Sequence, residues 1–183
     1  MSRDYLMEKV IKFSTLKQQT GEVPVLFVTS PSKAIDVAHK LAAAGLTIAS
    51  DYSNARTASI LRATDSRIPL IRRVSASTSP EKLANHVLLW PLRLRTKLQN
   101  FACKTAPALV SGLAEQPNAS NLYAVEKTFL WSNFPGTKEL SRYIRESGAR
   151  RVFFTMRDDP PSGVAGKSVE VSALGPPVQM TLF

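Results

Sequence analysis

The sequence has few of the side chains that metal and disulfide chemistry require. Among its 183 residues there is one cysteine, Cys103, and there are two histidines, His39 and His86. A single cysteine excludes an internal disulfide and a cysteine-rich metal site. A hydrolytic site with two zinc ions needs several His and Asp ligands to activate a water molecule. We therefore expect no such hydrolytic site and predict no metal ligands and no cofactor, and we interpret both histidines as structural or surface residues.

Long apolar runs and acidic side chains are also scarce. No run of 18 apolar residues occurs, which argues against a membrane span, and the first residues lack the apolar centre of a signal peptide. These absences favour an intracellular protein, in the cytoplasm with the nucleoid of a prokaryote or in the nucleus of a eukaryote. Lysine and arginine number 24 against 14 acidic residues, a net charge of +10. Such an excess predicts a polyanionic partner, DNA rather than RNA, or a complex with an acidic subunit.

Apolar runs of strand length alternate with amphipathic helical patterns along most of the chain. This alternation predicts an α/β fold, a Rossmann-like and mostly parallel sheet flanked by helices. We expect one α/β domain over residues 1–174 and a C-terminal tail over residues 175–183. The predicted helices are Arg3–Gln19, Ser30–Gly45, Asp51–Ala63, Pro80–Asn85 and Pro91–Lys104. The predicted strands are Val23–Ser30, Leu46–Ser50, Ile68–Val74, His86–Trp90, Ala106–Val110 and Ser168–Leu174, with a loop over Glu115–Asn121.

One segment, Lys127–Thr155, combines an apolar run, a loop, an amphipathic helix and a second apolar run. Leu140, Tyr143, Ile144 and Ser147 recur at helical spacing and predict one apolar helix face. The loop over residues 132–136 would lie at the carboxyl end of a strand, where open α/β sheets place their binding sites.

The sequence of this segment, WSNFPGTKELSRYIRESGARRVFFTM, resembles the nucleases of the metallo-β-lactamase superfamily that carry a β-CASP insert. In that family a loop with an acidic residue and a histidine leads into a similar helix and a Gly-Ala-x-x-Val strand. Those ligand positions are Asn133, Phe134 and Met156 here, and the chain contains no His-x-His-x-Asp-His motif. The resemblance implies the β-CASP and C-terminal part of such a nuclease without its metal ligands. It implies a non-catalytic accessory or adaptor protein in DNA replication or repair.

The last five residues, Gln179-Met180-Thr181-Leu182-Phe183, resemble the peptide through which proteins bind a sliding clamp. A tail that follows two prolines loses little entropy on extending, while Gln fills a polar pocket and Leu and Phe an apolar one. The resemblance implies contacts to the clamp from Gln179, Met180, Leu182 and Phe183.

Basic side chains form two groups that could bind a nucleic-acid backbone. A helix over Pro91–Lys104 would place Arg93, Lys97 and Lys104 on one face. The predicted nucleic-acid-binding residues are Arg72, Arg73, Arg93, Arg95, Lys97, Lys104, Arg150 and Arg151.

Three alternative interpretations remain open. The chain could be the non-catalytic subunit of a heteromeric β-CASP-type nuclease whose partner holds the metals. VLFVTSPSKA is similar to the Toprim strand of topoisomerases and primases, although Thr29 stands where that family has its catalytic Glu. A different Rossmann-like nucleic-acid-binding domain is the third. A Rossmann-like protein that binds a small ligand is disfavoured, because the chain contains no G-x-G-x-x-G loop.

Overall fold

Strands and helices alternate along the first 131 residues of the computed structural model, which describes residues 3–75, 77–132, 137–154 and 170–173. The chain divides into two compact units, residues 1–131 and residues 132–183. The first unit contains the strands β1 (Val23–Val28), β2 (Thr47–Ser50), β3 (Ile71–Arg73), β4 (His86–Pro91), β5 (Thr105–Ser111) and β6 (Lys127–Leu130). Its α-helices are α1 (Arg3–Gln19), α2 (Pro31–Ala43), α3 (Tyr52–Thr64), α4 (Pro80–Leu83) and α5 (Ala119–Tyr123).

The six strands form one parallel sheet in the order β3-β2-β4-β1-β5-β6. Leu26 of β1 is level with Leu89 of β4 on one side and with Ala108 of β5 on the other. Because every connection between parallel strands must cross over the sheet, helices cover both faces. The predicted α/β class with a Rossmann-like, mostly parallel sheet is confirmed. The short strand β3, which follows Pro69, forms one end of the sheet, as a proline at that position favours.

Each face of the sheet has its own apolar core. One core joins alternate strand residues such as Leu26 and Leu89 to apolar residues of α1, α2 and α3. The other joins residues such as Phe27 and Trp90 to Leu83 of α4 and to Leu98. All six residues of β1 are buried, because this central strand faces a layer of helices or loops on both sides. Its continuous apolar sequence is the pattern expected of such a strand.

The two helices that follow β1 and β2 each begin after a residue whose side chain caps the first turn. Ser30 caps α2 by accepting a hydrogen bond from the backbone N–H of Lys33 at 3.3 Å. Asp51 caps α3 by accepting from the N–H groups of Ser53 and Asn54 at 3.0 and 3.3 Å. Capping bonds of this kind satisfy backbone donors that the first turn of a helix leaves without partners.

The helix predicted over Pro91–Lys104 is wrong for its second part. A 3₁₀ segment, Leu92–Asn100, follows β4, and Leu94 within it has non-helical angles of φ −102° and ψ 15°. The indole N–H of Trp90 donates to the carbonyl of Leu94 at 3.0 Å, and this bond holds the kink. Trp90 also packs edge-on against Phe101 at 5.3 Å between ring centroids. Phe101 is drawn into the core with an extended backbone, which ends the helical turns before Lys104.

The predicted loop Glu115–Asn121 also differs from the structure. A 3₁₀ turn occupies Gly112–Glu115, and α5 begins at Ala119. The sequence QPNASN reads as a loop because Pro and Asn favour turns. The buried side chain of Ala119 nevertheless anchors a short helix there.

In the second unit the described elements are helix α6 (Thr137–Ser147) and strands β7 (Arg151–Phe154) and β8 (Glu170–Ala173), which pair in parallel. Within the described residues, the predicted amphipathic helix and the strand predicted over Ser168–Leu174 are confirmed, and the second apolar run of the segment Lys127–Thr155 forms β7. Ile144 is buried, as its apolar face requires, whereas Tyr143 remains 69% exposed. Asn133, Phe134 and Met156 lie outside the described residues, as do the clamp-binding residues Gln179, Met180, Leu182 and Phe183. The single domain over residues 1–174 and the tail over residues 175–183 stay predictions.

Candidate nucleic-acid interface

Three neighbouring strands, β3, β2 and β4, end side by side at what we call the carboxyl edge of the sheet. Arg73 is the last residue of β3 and is level with Ser50, the last residue of β2. Tyr52, two residues beyond Ser50, opens α3. Adjacent strands lie roughly 4.8 Å apart, so groups at these strand ends are within reach of one another.

Tyr52, Arg56 and Arg73, which we call the Tyr52 cluster, meet at this edge. The guanidinium carbon of Arg73 lies 4.7 Å from the centroid of the Tyr52 ring, and that of Arg56 lies 5.7 Å from it. Arg56 Nη1 also donates a 2.5 Å hydrogen bond to Tyr52 Oη. Nevertheless, 49% of the surface of Tyr52 is exposed to solvent. Two fixed positive charges thus flank an aromatic ring that solvent can reach.

A buried polar group behind Tyr52 fixes the start of α3. Ser50 Oγ donates to the carbonyl of Leu89 on β4 and accepts from Asn54 Nδ2 at 3.0 Å. Both Ser50 and Asn54 are buried, so these bonds have little competition from water. Together with the Asp51 cap, they tie the first turn of α3 to β2 and β4.

Arg73 belongs to the side of the sheet that α3 covers, and Arg72 to the opposite side. Ile71, two residues before Arg73, packs in the core shared with α3, and strand residues two apart point the same way. Arg72 is level with Ala49, which packs in the other core. Its charge contributes to lowering the pKa of His86, although burial of the imidazole is the larger cause. The structure therefore separates the two adjacent arginines.

Arg93 and Arg95 follow β4, the strand beside β2, and begin the 3₁₀ segment at the carboxyl edge. Both side chains are exposed, as is that of Lys97 further along the segment. Among the described residues, no carboxylate lies within ion-pair distance of Arg56, Arg73, Arg93, Arg95 or Lys97.

Lys104 lies at the opposite, amino edge of the sheet, one residue before β5, in a group of paired charges. Its Nζ is 2.5 Å from Glu22 Oε1, and Lys17 Nζ is 2.8 Å from Glu22 Oε2. Lys17 also lies 2.5 Å from Glu126. The hydrogen bond from Lys104 and then that from Lys17 lower the pKa of Glu22 to about 2. The carboxylates of this group offset its cations, so Lys104 is separated in both position and charge from the arginines of the carboxyl edge.

A buried amine, Lys33, also lies near the carboxyl edge. Only 6% of Lys33 is exposed, and its Nζ donates to the carbonyl of Trp131, just beyond β6, at 3.0 Å. Burial, and secondarily the charge of Arg3, lowers the pKa of Lys33. Arg3 lies over the Trp131 ring at 5.9 Å. Lys33 and Trp131 thus join the chain that follows β1 to the chain that follows β6 at this edge.

The remaining residues named from the sequence are Arg150, Arg151, His39 and His86. Arg150 and Arg151 belong to the second unit, where both side chains are exposed. His39 is exposed on α2, and His86 is half-buried at the start of β4. Within the part of the chain that the structure describes, no group of three or more His, Cys, Asp and Glu side chains could hold a metal ion. None of the described helices combines the length and the apolar character needed to span a membrane.

Sequence reasoning missed Tyr52 and Arg56. Their spacing of four on a helix that follows a strand was a visible signal, because such a pair lies on one helix face. Arg73 was predicted as a binding residue, but its closeness to Tyr52 depends on the pairing of β2 with β3, which the sequence does not reveal. Comparison of the chain with protein-family models, curated proteins and solved structures found no match.

Proposed function

We propose that this protein is a non-catalytic accessory factor of DNA replication or repair that binds DNA through the carboxyl edge of its sheet. The Tyr52 cluster is the observation that carries this proposal. There Arg56 and Arg73 lie over an exposed aromatic ring. Among the described residues, no carboxylate lies within ion-pair distance of either arginine. Arg93 and Arg95 extend the positive charge along the adjacent strand end.

The contrast between the two edges of the sheet supports this choice of surface. At the amino edge, Glu22 and Glu126 offset Lys17 and Lys104. At the carboxyl edge, the guanidinium groups of Arg56, Arg73, Arg93 and Arg95 have no such partners among the described residues, so their positive charges are available to an anion. Guanidinium groups bind phosphate oxygens in a planar, two-pronged geometry, and each contact releases a counterion from DNA.

Replacement of both arginines tests the DNA-binding surface. We expect Arg56→Ala with Arg73→Ala to weaken DNA binding in low salt by about tenfold or more, because charge-assisted hydrogen bonds contribute roughly 1.5–3 kcal/mol each. Fluorescence anisotropy with a labelled DNA gives the dissociation constants. The matched control is Lys127→Ala, which removes a charge at the amino edge, on the first residue of β6.

Equal affinities of the double variant and the wild-type protein would contradict the proposed surface. A wild-type protein that binds no DNA in low salt would contradict nucleic-acid binding as a whole. Circular dichroism of each variant shows whether the fold is kept.

We also propose that the C-terminal peptide, with Gln179, Met180, Leu182 and Phe183, docks on a sliding clamp. The support is the peptide sequence and its position after two prolines. Replacement of Gln179, Leu182 and Phe183 by Ala should abolish binding to the clamp in a pulldown, since these side chains would fill its pockets. If the triple variant still bound the clamp, docking through the C-terminal peptide would be contradicted, whereas the proposal of DNA binding would be unaffected.

A further inference from the structure

We propose that the Tyr52 cluster binds single-stranded DNA, with one unpaired base stacked on the Tyr52 ring and the flanking phosphates held by Arg56 and Arg73. This inference rests on the proposed DNA-binding function and names the form of the ligand.

The exposed ring is the first reason to favour a single strand. Tyr52 is 49% exposed although it opens a helix that places Ala55 and Ala58 in the core. Every base has a flat apolar face, so an accessible aromatic ring binds unpaired bases with little dependence on sequence. In a duplex those faces are covered by neighbouring bases, and uncovering one costs a few kcal/mol.

The arrangement of charge around the ring is the second reason. The guanidinium carbons of Arg73 and Arg56 lie over the ring at 4.7 and 5.7 Å from its centroid, so a base that stacks on the exposed part of the ring lies next to both charges. A base in a single strand carries a phosphate on each side, and both can then reach a guanidinium group. Arginine can in addition stack on a base with the plane of its guanidinium.

The rigidity of the ring is the third reason. The Asp51 cap and the bonds among Ser50, Asn54 and the Leu89 carbonyl hold the first turn of α3 in place. Arg56 Nη1 fixes the phenol oxygen of Tyr52 by a 2.5 Å hydrogen bond. A ring that is already oriented loses little entropy when a base stacks on it, which improves affinity.

The test compares three DNA probes with two variants of Tyr52. The probes are a thymidine 20-mer, a duplex of the same length, and a 20-mer with the same phosphates in which every base is absent. Tyr52→Phe keeps the ring and loses the hydroxyl, whereas Tyr52→Ala loses both. Dissociation constants are measured by fluorescence anisotropy in low salt.

We expect the wild-type protein to bind the 20-mer about tenfold more tightly than the abasic strand, which is the size of one base–aromatic stack. Tyr52→Ala should lose about tenfold on the 20-mer and change little on the abasic strand or the duplex, since those probes offer no free base face. Tyr52→Phe should stay within about threefold of wild type on all probes, because the ring remains.

Equal wild-type affinity for the base-containing and abasic strands would overturn the stacking inference, and this comparison needs no variant. A similar loss on all three probes in Tyr52→Ala would also overturn it, since Tyr52 would then act only by holding the arginines. In both cases binding to DNA remains and the proposed function stands. Absence of wild-type binding to every probe would instead overturn the proposed function.

Discussion

At the scale of single residues, Glu22 shows how the structure sets the charge of one side chain. Its carboxylate accepts from Lys104 and Lys17, and these bonds lower its pKa from 4.5 to about 2. Between pH 4.5 and 2 the unfolded chain binds a proton at this position more readily than the folded chain does. The stabilisation that Glu22 supplies is therefore complete above pH 4.5 and is lost as the pH falls toward 2.

Replacement of Glu22 by Gln tests this linkage. We expect Glu22→Gln to lower the melting temperature at pH 7, because Lys17 and Lys104 lose a charged partner, and to reduce the dependence of the melting temperature on pH between 5 and 2. Thermal unfolding followed by circular dichroism at several pH values measures both effects. If the variant and the wild-type protein lost stability in parallel across that range, the low pKa of Glu22 would be refuted.

Ala124 is a second residue of this kind, because its backbone conformation lowers the stability of the fold by an amount that can be measured. It caps α5 in the left-handed region, with φ 52° and ψ 53°, where a side chain crowds the following carbonyl oxygen. Ala124→Gly should raise the free energy of unfolding by about 1 kcal/mol. Ala84→Gly is the matched control, since Ala84 caps α4 at φ −50° and gains nothing from glycine there. Urea unfolding measures both, and a less stable Ala124→Gly protein would contradict the left-handed geometry.

At the scale of elements, the apolar patterns predicted most strands and helices because the central strands are buried on both faces. The run VPVLFV contains no polar residue, so its pattern is unlike that of an amphipathic helix, and β1 spans the whole run. The short elements were harder to predict. Pro91–Lys104 has helix-forming residues, but the bond from the Trp90 indole to the Leu94 carbonyl and the burial of Phe101 depend on contacts that local sequence does not encode.

The candidate site was predicted in part, for a related reason. Arg73, Arg93 and Arg95 stand out in the sequence as basic residues near strand ends. Their grouping depends on the strand order, in which β4 is inserted between β2 and β1. Lys104 lies at the amino edge because it immediately precedes β5, and Arg72 lies on the other face because successive residues of a strand point to opposite faces. The charge composition thus predicts that a basic surface exists, whereas the arrangement of the strands in the folded protein decides which residues form it.

At the scale of the whole molecule, two groups of cations in the first unit differ in their surroundings. Lys17 and Lys104 at the amino edge are held in ion pairs with Glu22 and Glu126, whereas Arg56 and Arg73 at the carboxyl edge lie over an aromatic ring. Long-range attraction between a net positive protein and DNA would bring the two together at a rate that depends on salt. The carboxyl edge would then determine the orientation in which the DNA is held.

The salt dependence of binding to single-stranded DNA tests the central claim most directly. Each phosphate contact contributes about 0.7 to the slope of log affinity against log salt concentration for single strands. The variant with Arg56→Ala and Arg73→Ala should therefore have a slope smaller in magnitude by about 1.4 than the wild-type protein, while Lys127→Ala keeps the wild-type slope. Equal slopes for the wild-type protein and the double variant would contradict DNA binding at the carboxyl edge.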